Sequence, residues 1–289
     1  MRARLTGSAA LAAAVLLAAG ACGVAGAESS ITAKDELVVG VNPDQPGVGL
    51  KARNGDYVGF DPDIARAVAK RLGGPAKKLR FKAVTSETRE RMLKDGDVDM
   101  VVASYSITPD RKADVTFAGP YYVAHQDILV RATDAASVPD VRGLEGKSLC
   151  EVPGSVSFPR VKKERGVPVR PVRAAKGYGE CFDLLAQKKV FAVSTDDLIL
   201  AGQAARVAKG EAPGPELKIV NAPFSEEPYG IGVRKGDIDG CEKINKAITE
   251  LYQQTAAGRD SEAVTLLKRW FGPAHLNTTS TVPQFEGCD

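Results

Sequence analysis

The sequence predicts an α/β protein built from two similar lobes. Short apolar runs rich in β-branched residues alternate with segments of helical periodicity, which is typical of helices packed on a largely parallel sheet. In each half of the chain a polar residue follows the C-terminal end of a strand, the place where open α/β sheets bind ligands. Three pairs of matching positions stand 92 residues apart: Leu93 and Leu185, Val98 and Val190, and Ser104 and Asp196.

The composition fits a folded chain of two domains. Its 289 residues are 44% hydrophobic and 26% charged, which supplies a core and excludes a disordered chain. The first 21 residues carry two basic residues and no acid, so the rest has 37 basic against 36 acidic residues, a net charge near +1. Without a basic block or an aromatic-rich basic stripe, nucleic acid is not expected as a partner.

The N-terminus has the pattern of an export signal. Arg2 and Arg4 precede an apolar run from Ala9 to Ala19, and small residues continue to Ala21. The run is shorter than the ~20 apolar residues that a membrane span needs. We therefore expect residues 1–21 to be a signal peptide.

Cys22 directly follows Ala19-Gly20-Ala21. This order resembles the lipobox of bacterial lipoproteins, in which the cysteine becomes the lipid-modified first residue, although Ala19 stands where an aliphatic residue is usual. Lipidation of Cys22 would hold the chain on the extracellular face of the cell membrane. The alternative is a plain secretory signal with an incidental cysteine. Residues 22–36 are expected to be the tether between lipid and domain.

The first strand and the first long helix are indicated by local signals. Leu37–Val41 is a short apolar run with β-branched residues and predicts a buried strand. Asp61 is predicted to cap a helix, with Pro62 at its first position, where the missing N–H costs nothing. Apolar residues then recur on one face of this helix: Ile64, Ala65, Val68, Ala69 and Leu72.

Two later strands lead into polar residues. Val98–Ala103 is predicted as a strand that ends before Ser104, and Val190–Val193 as a strand that leads into Asp196. Asp197 is expected to cap a helix that begins at Leu198.

Besides Cys22 the chain has four cysteines: Cys150, Cys181, Cys241 and Cys288. An even number in an exported chain predicts two disulfides, and the residues alone permit three pairings. No cysteine or histidine spacing indicates a zinc site, so neither a metal nor another cofactor is expected. The sequence has no phosphate-binding loop, serine-hydrolase motif or zinc-protease motif, which argues against an enzyme.

Seven short motifs follow one another along the chain: Gly59-Phe-Asp-Pro-Asp-Ile-Ala65, Gly96-Asp-Val-Asp99, Ser104-Tyr-Ser-Ile-Thr-Pro-Asp-Arg111, Phe117-Ala-Gly-Pro-Tyr-Tyr122, Leu144-Glu-Gly-Lys147, Gly154-Ser155 and Thr195-Asp196-Asp197. In this order and spacing the chain resembles the polar-amino-acid branch of the bacterial extracellular solute-binding proteins, the receptors of ABC importers. The resemblance covers roughly residues 37–271 and is best for glutamate-binding members. It implies a two-lobed periplasmic-binding-protein-like fold with a hinge, in which each lobe is a sheet flanked by helices.

The resemblance also implies a site for a zwitterion. In the family, the residue equivalent to Arg111 clamps the α-carboxylate of the ligand, a task that suits the two-pronged guanidinium donor. The carboxylate's other lone pairs are expected to be filled from the same segment: Ser104, Ser106 and Thr108. The family places an acidic partner for the α-ammonium at Asp196. Both charges of the ligand must be matched once it leaves water.

The side chain of the ligand is expected to meet a second group of residues. Arg89 and Ser86 lie where glutamate and aspartate binders place the partner of a side-chain carboxylate, which implies glutamate, aspartate or an amide as ligand. Asn42 stands where such binders commonly have a basic residue. Tyr178 and Ser155 are the expected contributions of lobe two. The alternative for Arg89 is an ordinary arginine on a helix surface.

Lobe boundaries and disulfides follow from the same resemblance. Lobe one is expected to take residues 37–124 and 225–275, with lobe two over 125–224 and a tail over 276–289. Cys150–Cys181 would then lie within lobe two, where the nearest family members carry cysteines, and Cys241–Cys288 would tie the tail to lobe one. The other pairings would join the lobes and lock the hinge.

The implied function is that of a monomeric receptor that closes on an amino acid and delivers it to ABC transporter permease subunits. One alternative is a sensory receptor of the same fold that contacts a membrane-bound regulator. Another is an exported dehydratase, which would need a general acid or base in the cleft. Beyond the residues assigned to the two charges of the zwitterion, only Tyr178 or Asp197 could serve in that way.

Overall fold

The computed structural model describes residues 30–74, 77–171, 174–253, 259–272 and 281–289. The predicted signal peptide and the lipidation site at Cys22 lie outside these residues. Among the described residues, no helix combines the length and apolar character that crossing a membrane requires.

The structure contains both strands and helices along the whole of its described length. The strands are β1 (Glu36–Val41), β2 (Asp44–Gln45), β3 (Gly49–Lys51), β4 (Tyr57–Val58), β5 (Lys78–Ala83), β6 (Met100–Val101), β7 (Val115–Arg131), β8 (Ser148–Leu149), β9 (Arg170–Pro171), β10 (Ala192–Asp196), β11 (Leu217–Ile219) and β12 (Ser225–Arg234). The α-helices are α1 (Phe60–Gly73), α2 (Arg89–Lys94), α3 (Pro109–Lys112), α4 (Ser157–Pro159), α5 (Tyr178–Ala186), α6 (Asp197–Ala208), α7 (Ile238–Tyr252) and α8 (Glu262–Phe271).

The main sheet has a parallel group of strands at each end and an antiparallel pair in the middle. Its order is β5-β1-β6-β12-β7-β10-β8-β9, and β11 also pairs with β7. The parallel groups are β5-β1-β6 and β10-β8-β9. The first group, with the helices and loops around it, is here called the first half, and the second group, with its helices and loops, the second half. A separate antiparallel sheet of β2, β3 and β4 accompanies the first half. This arrangement confirms the predicted α/β class.

Two long strands connect the halves. β7 contains 17 residues, and it pairs with β12 from Val115 opposite Arg234 to Gln126 opposite Ser225. Beyond this point β7 pairs with β10, from Gln126 opposite Asp196 to Val130 opposite Ala192. The halves are therefore connected by continuous strands, and β7 pairs with a different strand in each half.

The 92-residue spacing corresponds to a structural repeat. A helix precedes a strand in both halves, α2 before β6 and α5 before β10, and each of these strands runs antiparallel to one central strand. Leu93 and Leu185 are both buried against the sheet beside them. Of the matching positions, Asp196 is the last residue of β10, whereas Ser104 lies three residues beyond the end of β6.

Several element boundaries differ from those predicted. α1 begins at Phe60 and its N-cap is Gly59, because the Asp61 carboxylate accepts the N–H of Ser104 and does not cap its own helix. β6 is limited to two residues inside its predicted run, Met100–Val101, while β10 begins two residues later than predicted and continues through Asp196. α6 begins at Asp197, one residue earlier than predicted.

The last residues of the predicted tether pack against the protein. Ile31 is buried, and its N–H donates to the Asp237 carboxylate at 3.0 Å. The Thr32 hydroxyl donates to Asp239 at 2.6 Å. Both acids belong to the start of α7, so the described end of the 22–36 segment is part of the folded domain.

Helices α1, α7 and α8 pack together over the first half. Asp237 caps α7 by accepting the N–H of Gly240, and Ser261 caps α8 by accepting the N–H of Val264. The inner face of α7 is fully buried at Ile244 and Ile248. Burial of each such side chain stabilises the fold by roughly 1.5–3 kcal/mol.

Both expected disulfides are present. Cys150 is bonded to Cys181 and Cys241 to Cys288. The first bond joins the end of β8 to α5 within the second half, and the second joins α7 to the C-terminal segment. Neither bond connects the two halves.

Candidate ligand-binding site

Ser104 lies at the centre of the polar groups that follow β6. Its backbone is in the left-handed region, with φ at +42°, which is uncommon outside glycine. Its hydroxyl donates to the side-chain oxygen of Gln45 at 2.9 Å. Asn42 donates from its amide to the carbonyl oxygen of Ala103 at 3.1 Å and to the Ser104 hydroxyl at 3.3 Å. The ends of β1 and β6 are therefore tied together by side chains.

The Asp61 side chain holds in place the segment that follows β6. Its carboxylate accepts the N–H of Ser104 at 2.7 Å and the hydroxyl of Tyr121 at 2.6 Å. Burial raises the pKa of Asp61 to about 7, although both hydrogen bonds and the nearby charge of Arg89 act to lower it. A fully buried acid in this position fixes the unusual conformation of Ser104.

Arg111 reaches from the first half to the second. It lies in α3, whose first turn is capped by the Thr108 hydroxyl. Its guanidinium donates to the carbonyl oxygen of Ser106 at 2.7 Å and to that of Gly154 at 2.8 Å. Burial, followed by the repulsion of Arg89, lowers the pKa of Arg111 to about 10. The side chain is therefore a buried cation at neutral pH.

Arg89 is buried and does not lie on a helix surface. Its guanidinium stacks over the ring of Tyr105 with 3.8 Å to the ring centroid, and it donates to the carbonyl oxygen of Ala103 at 3.1 Å. Its Nε atom is buried and has no hydrogen-bond partner among the described residues. Glu90 lies 3.5 Å from Arg89 and 3.6 Å from Arg111, so it offsets part of their positive charge.

The second half contributes a chain of hydroxyl groups. Ser155 and Tyr178 share a hydrogen bond of 2.7 Å, and Tyr178 donates to the Ser157 hydroxyl at 2.9 Å. Ser157 continues the chain to Thr195 at 3.3 Å. The last hydroxyl of this series belongs to Thr195, which is next to Asp196. Burial raises the pKa of Tyr178, and the negative charge of Asp196 adds to this effect.

Asp196 is a buried carboxylate, and only one of its two oxygens has a hydrogen-bond partner among the described residues. Its Oδ2 accepts the hydroxyl of Tyr229 at 2.6 Å, while Oδ1 is buried without a hydrogen-bond partner among the described residues. Burial, followed by the repulsion of Glu227, raises the pKa of Asp196 to about 8, and the charge of Arg111 acts in the opposite direction. An unpaired buried acceptor is costly, so this oxygen is suited to a cationic donor.

The two halves touch directly at this site. A Cβ atom on Gly154 would lie 2.2 Å from the carbonyl oxygen of Ser86, which belongs to the first half. Arg111 bridges the same place through Gly154. The structure thus describes the halves in a closed arrangement.

Sequence reasoning missed several residues of this region. Gln45 and Tyr229 carry no local signal for their contacts with Ser104 and Asp196, because each contact joins distant parts of the chain. The fully buried Glu227 on β12 forms an ion pair with Arg160, beside Asp196. Asp61 stood within a recognised motif, but its proximity to a helix start suggested a cap.

The described residues contain no group of three or more His, Cys, Asp or Glu side chains that could hold a metal ion. The polar groups gathered here are instead two buried arginines, buried carboxylates and hydroxyls. Such a set can bind an organic ion by charge and hydrogen bonds.

Two half-sheets joined by long strands, with polar strand ends that meet between them, define a solute-binding receptor of the kind that closes about a hinge. The sequence matches the model of the bacterial extracellular solute-binding proteins, family 3, over residues 37–273. The chain belongs to this family of binding proteins, which are not enzymes and act with the permease subunits of ABC importers.

Two curated relatives are informative. The glutamine-binding ABC transporter protein GlnH of Bacillus subtilis is 34% identical over 244 residues, which cover 84% of this chain and 83% of the relative. The glutamate-binding protein GluB of Corynebacterium efficiens is 34% identical over 221 residues, which cover 75% of this chain and 74% of the relative.

Solved structures give the same fold. An ancestral arginine-binding protein bound to arginine superposes with a TM-score of 0.68 and 36% identity, covering 83% of this chain and 99% of the other. The family and the two-lobed α/β fold that the resemblance implied are thereby confirmed.

Proposed function

We propose that this protein binds glutamate, or a closely related acidic or amide amino acid, between its two lobes outside the membrane and passes it to an ABC importer. The observation that carries the proposal is the pair formed by Asp196 and Arg111. One buried oxygen of Asp196 has no hydrogen-bond partner among the described residues, and Arg111 acts on the pKa of Asp196 from the opposite half. A buried acid and a buried cation on facing lobes match the two charges of an amino acid.

Arg111 is the proposed clamp for the α-carboxylate. In the closed arrangement its guanidinium bonds two backbone carbonyl groups, those of Ser106 and Gly154. A ligand carboxylate would replace at least one of these neutral acceptors with a charged and more strongly bound one. Ser106 would add a hydroxyl or N–H donor, and the Ser104 hydroxyl would join it by turning away from Gln45. Thr108 would hold the turn that presents Arg111.

Asp196 is the proposed partner of the α-ammonium group. The ammonium would donate to the unpaired Oδ1, while Tyr229 continues to occupy Oδ2. The ligand's positive charge would also relieve the repulsion between Asp196 and Glu227.

The ligand side chain is proposed to extend toward Arg89 and Ser86. Arg89 brings a buried positive charge, and the neighbouring Asn42 brings an amide. From the other half, Ser155 and Tyr178 offer hydroxyl groups. This combination favours a carboxylate or amide side chain, in line with relatives named for glutamine and glutamate.

We assign lobe one to residues 37–124 and 225–275 and lobe two to 125–224. The change of pairing partner along β7 at Gln126 supports a hinge near this boundary. The segment 276–289 would be a tail, held to lobe one by Cys241–Cys288.

The proposal includes export and a lipid anchor. Residues 1–21 would be removed as the signal peptide and Cys22 would carry lipid, so that a monomeric receptor stays on the extracellular face of the membrane. Expression of the full chain in a bacterial host, followed by fractionation, tests this. We expect the wild type in the membrane fraction and Cys22→Ser in the medium. A wild type found in the medium would contradict the anchor.

Calorimetric titration of the purified domain, starting after Cys22, tests the ligand. Glutamate, glutamine, aspartate, asparagine and arginine are titrated separately. Tightest binding of one of the first four supports the proposal. Preference for arginine, which the ancestral structure binds, or for a large apolar amino acid would overturn the acidic or amide assignment.

A further inference from the structure

A loop of the first half touches the second half at the rim of the site. The segment comprises the short strand β2 (Asp44–Gln45) with Pro46 and Gly47, follows β1 after two intervening residues, and is here called the rim loop. The Asp44 carboxylate accepts the N–H of Gly179 in the first turn of α5 at 3.1 Å. Burial raises the pKa of Asp44, while this hydrogen bond acts to lower it. An acid at this end of a helix is favourable because it faces the positive end of the helix dipole.

Glycines of the second half make room for the rim loop. A Cβ atom on Gly177 would lie 2.2 Å from the Asp44 carboxylate, and one on Gly179 would lie 3.3 Å from it. At these two positions the start of α5 therefore approaches Asp44 with its backbone and without a side chain.

Gly202 gives the most informative contact. It lies inside α6, where a glycine weakens a helix relative to alanine and where its φ is not in the left-handed region. A Cβ atom on Gly202 would lie 1.7 Å from the carbonyl oxygen of Pro46. Helix geometry gives no reason for this glycine, whereas the approach of the rim loop does.

We propose that the rim loop is a closure latch that docks on the glycine surface of α5 and α6 only when the lobes close. Asp44 and Gly202 would then set ligand affinity without touching the ligand, because they stabilise the closed form that holds it. This inference rests on the proposed function, since it assumes that closure on an amino acid is the binding event.

Gly202→Ala tests the latch, with Ala205→Ser as the matched control. Ala205 is exposed on the same helix, and the control also adds one heavy atom. Three quantities are measured for each protein: the dissociation constant for the best wild-type ligand, the radius of gyration with and without that ligand, and the thermal midpoint without ligand.

We expect Gly202→Ala to weaken binding at least tenfold and to prevent full compaction by ligand. Its ligand-free midpoint should equal or exceed that of the wild type, because alanine favours the helix once the lobes are open. Ala205→Ser should bind as the wild type does. Asp44→Ala should weaken binding by about twofold to tenfold, the contribution of an acid at a helix N-terminus.

Two results would overturn the latch. Unchanged affinity of Gly202→Ala would show that the contact does not contribute to closure. A lower ligand-free midpoint would show that the rim loop contacts α6 in the open form as well. A wild type that binds no amino acid would instead refute the proposed function, so the two failures are distinguishable.

Discussion

The Tyr229 hydroxyl donates a 2.6 Å hydrogen bond to Oδ2 of Asp196, and the other oxygen of this buried carboxylate is left without a partner among the described residues. Tyr229 lies on the central strand β12 and Asp196 ends β10 in the second half. The bond therefore orients the acid toward the place where the two halves meet. Its unpaired oxygen and raised pKa lead to the first prediction.

Ligand binding should release a proton. Burial and Glu227 raise the pKa of Asp196 to about 8 in the closed arrangement, so we expect ligand-free molecules in which this acid stays buried to hold a proton there at neutral pH. An ammonium group favours the ionised carboxylate, so affinity should rise with pH up to about 8, by at most about tenfold per pH unit for one proton. Calorimetric titration at neutral pH, in two buffers of different ionisation enthalpy, counts the released protons.

Asp196→Asn is the matched control for proton release. It keeps the size of the side chain and an acceptor for Tyr229 but cannot titrate. We expect weak binding whose enthalpy no longer depends on the buffer. A buffer-independent enthalpy in the wild type would contradict the raised pKa or the role of Asp196.

Loss of the Arg111 guanidinium should remove most of the affinity. Arg111→Ala leaves the ligand's carboxylate without its charged partner, which should cost ~2–5 kcal/mol, or roughly thirtyfold to several thousandfold in dissociation constant. Arg111→Lys retains the charge but not the planar pair of donors, so we expect an intermediate loss. Binding by Arg111→Ala with wild-type affinity, in a protein that melts normally, would refute the clamp.

Arg89 should decide between an acid and its amide. It is a buried cation stacked on Tyr105, so Arg89→Gln removes a positive charge from the region where the ligand side chain is proposed to lie. Glutamate binding should weaken at least tenfold more than glutamine binding, and Arg89→Lys should preserve more of the preference for glutamate. The measurement is the ratio of the two dissociation constants. Equal losses for both ligands would make Arg89 a purely structural residue.

The disulfide at the C-terminal segment should stabilise the first half. The bond from Cys241 to Cys288 spans 47 residues and, on the chain-entropy model, should contribute ~4 kcal/mol to the free energy of unfolding. Replacing both cysteines with serine should lower that free energy in denaturant titrations and leave the ligand preference unchanged. Peptide mapping without reductant provides the check on connectivity. A peptide that links Cys150 or Cys181 to either of the other two cysteines would contradict the pairing.

Local patterns predicted which helices and strands form more accurately than they predicted where each one begins and ends. The apolar run at Leu37–Val41 became most of β1, and the face of Ile64 and Val68 became the buried side of α1. The start of α1 was misplaced because Asp61 has two possible partners, its own helix and Ser104, and only the folded chain brings the second within reach. The predicted ends of the strands were also inaccurate. The reason is similar, because the residues at which a strand begins and ends depend on hydrogen bonds with the neighbouring strand.

The residues of the candidate site were accessible from the sequence to different degrees. Arg111 and Asp196 stand in motifs with fixed spacing, and both are buried at the meeting point of the halves. The contacts of Gln45, Tyr229 and Glu227 were not predicted, because no pattern close to them in sequence indicates a contact with a distant residue. Arg89 was found, but its stacking on Tyr105 was not.

Without the structure, it was possible to predict the types of element, their order, the two-lobed repeat and the chemical character of the residues that follow the strands. These properties follow from local periodicity, capping and composition, which act within a few residues of the chain. The folding of the whole chain determines which neutral group each charged side chain bonds: Asp61 bonds Ser104, Asp196 bonds Tyr229, and Arg111 bonds Gly154. Each of these contacts joins residues more than 30 positions apart. Such contacts depend on strand order and lobe closure, and local signals do not encode either.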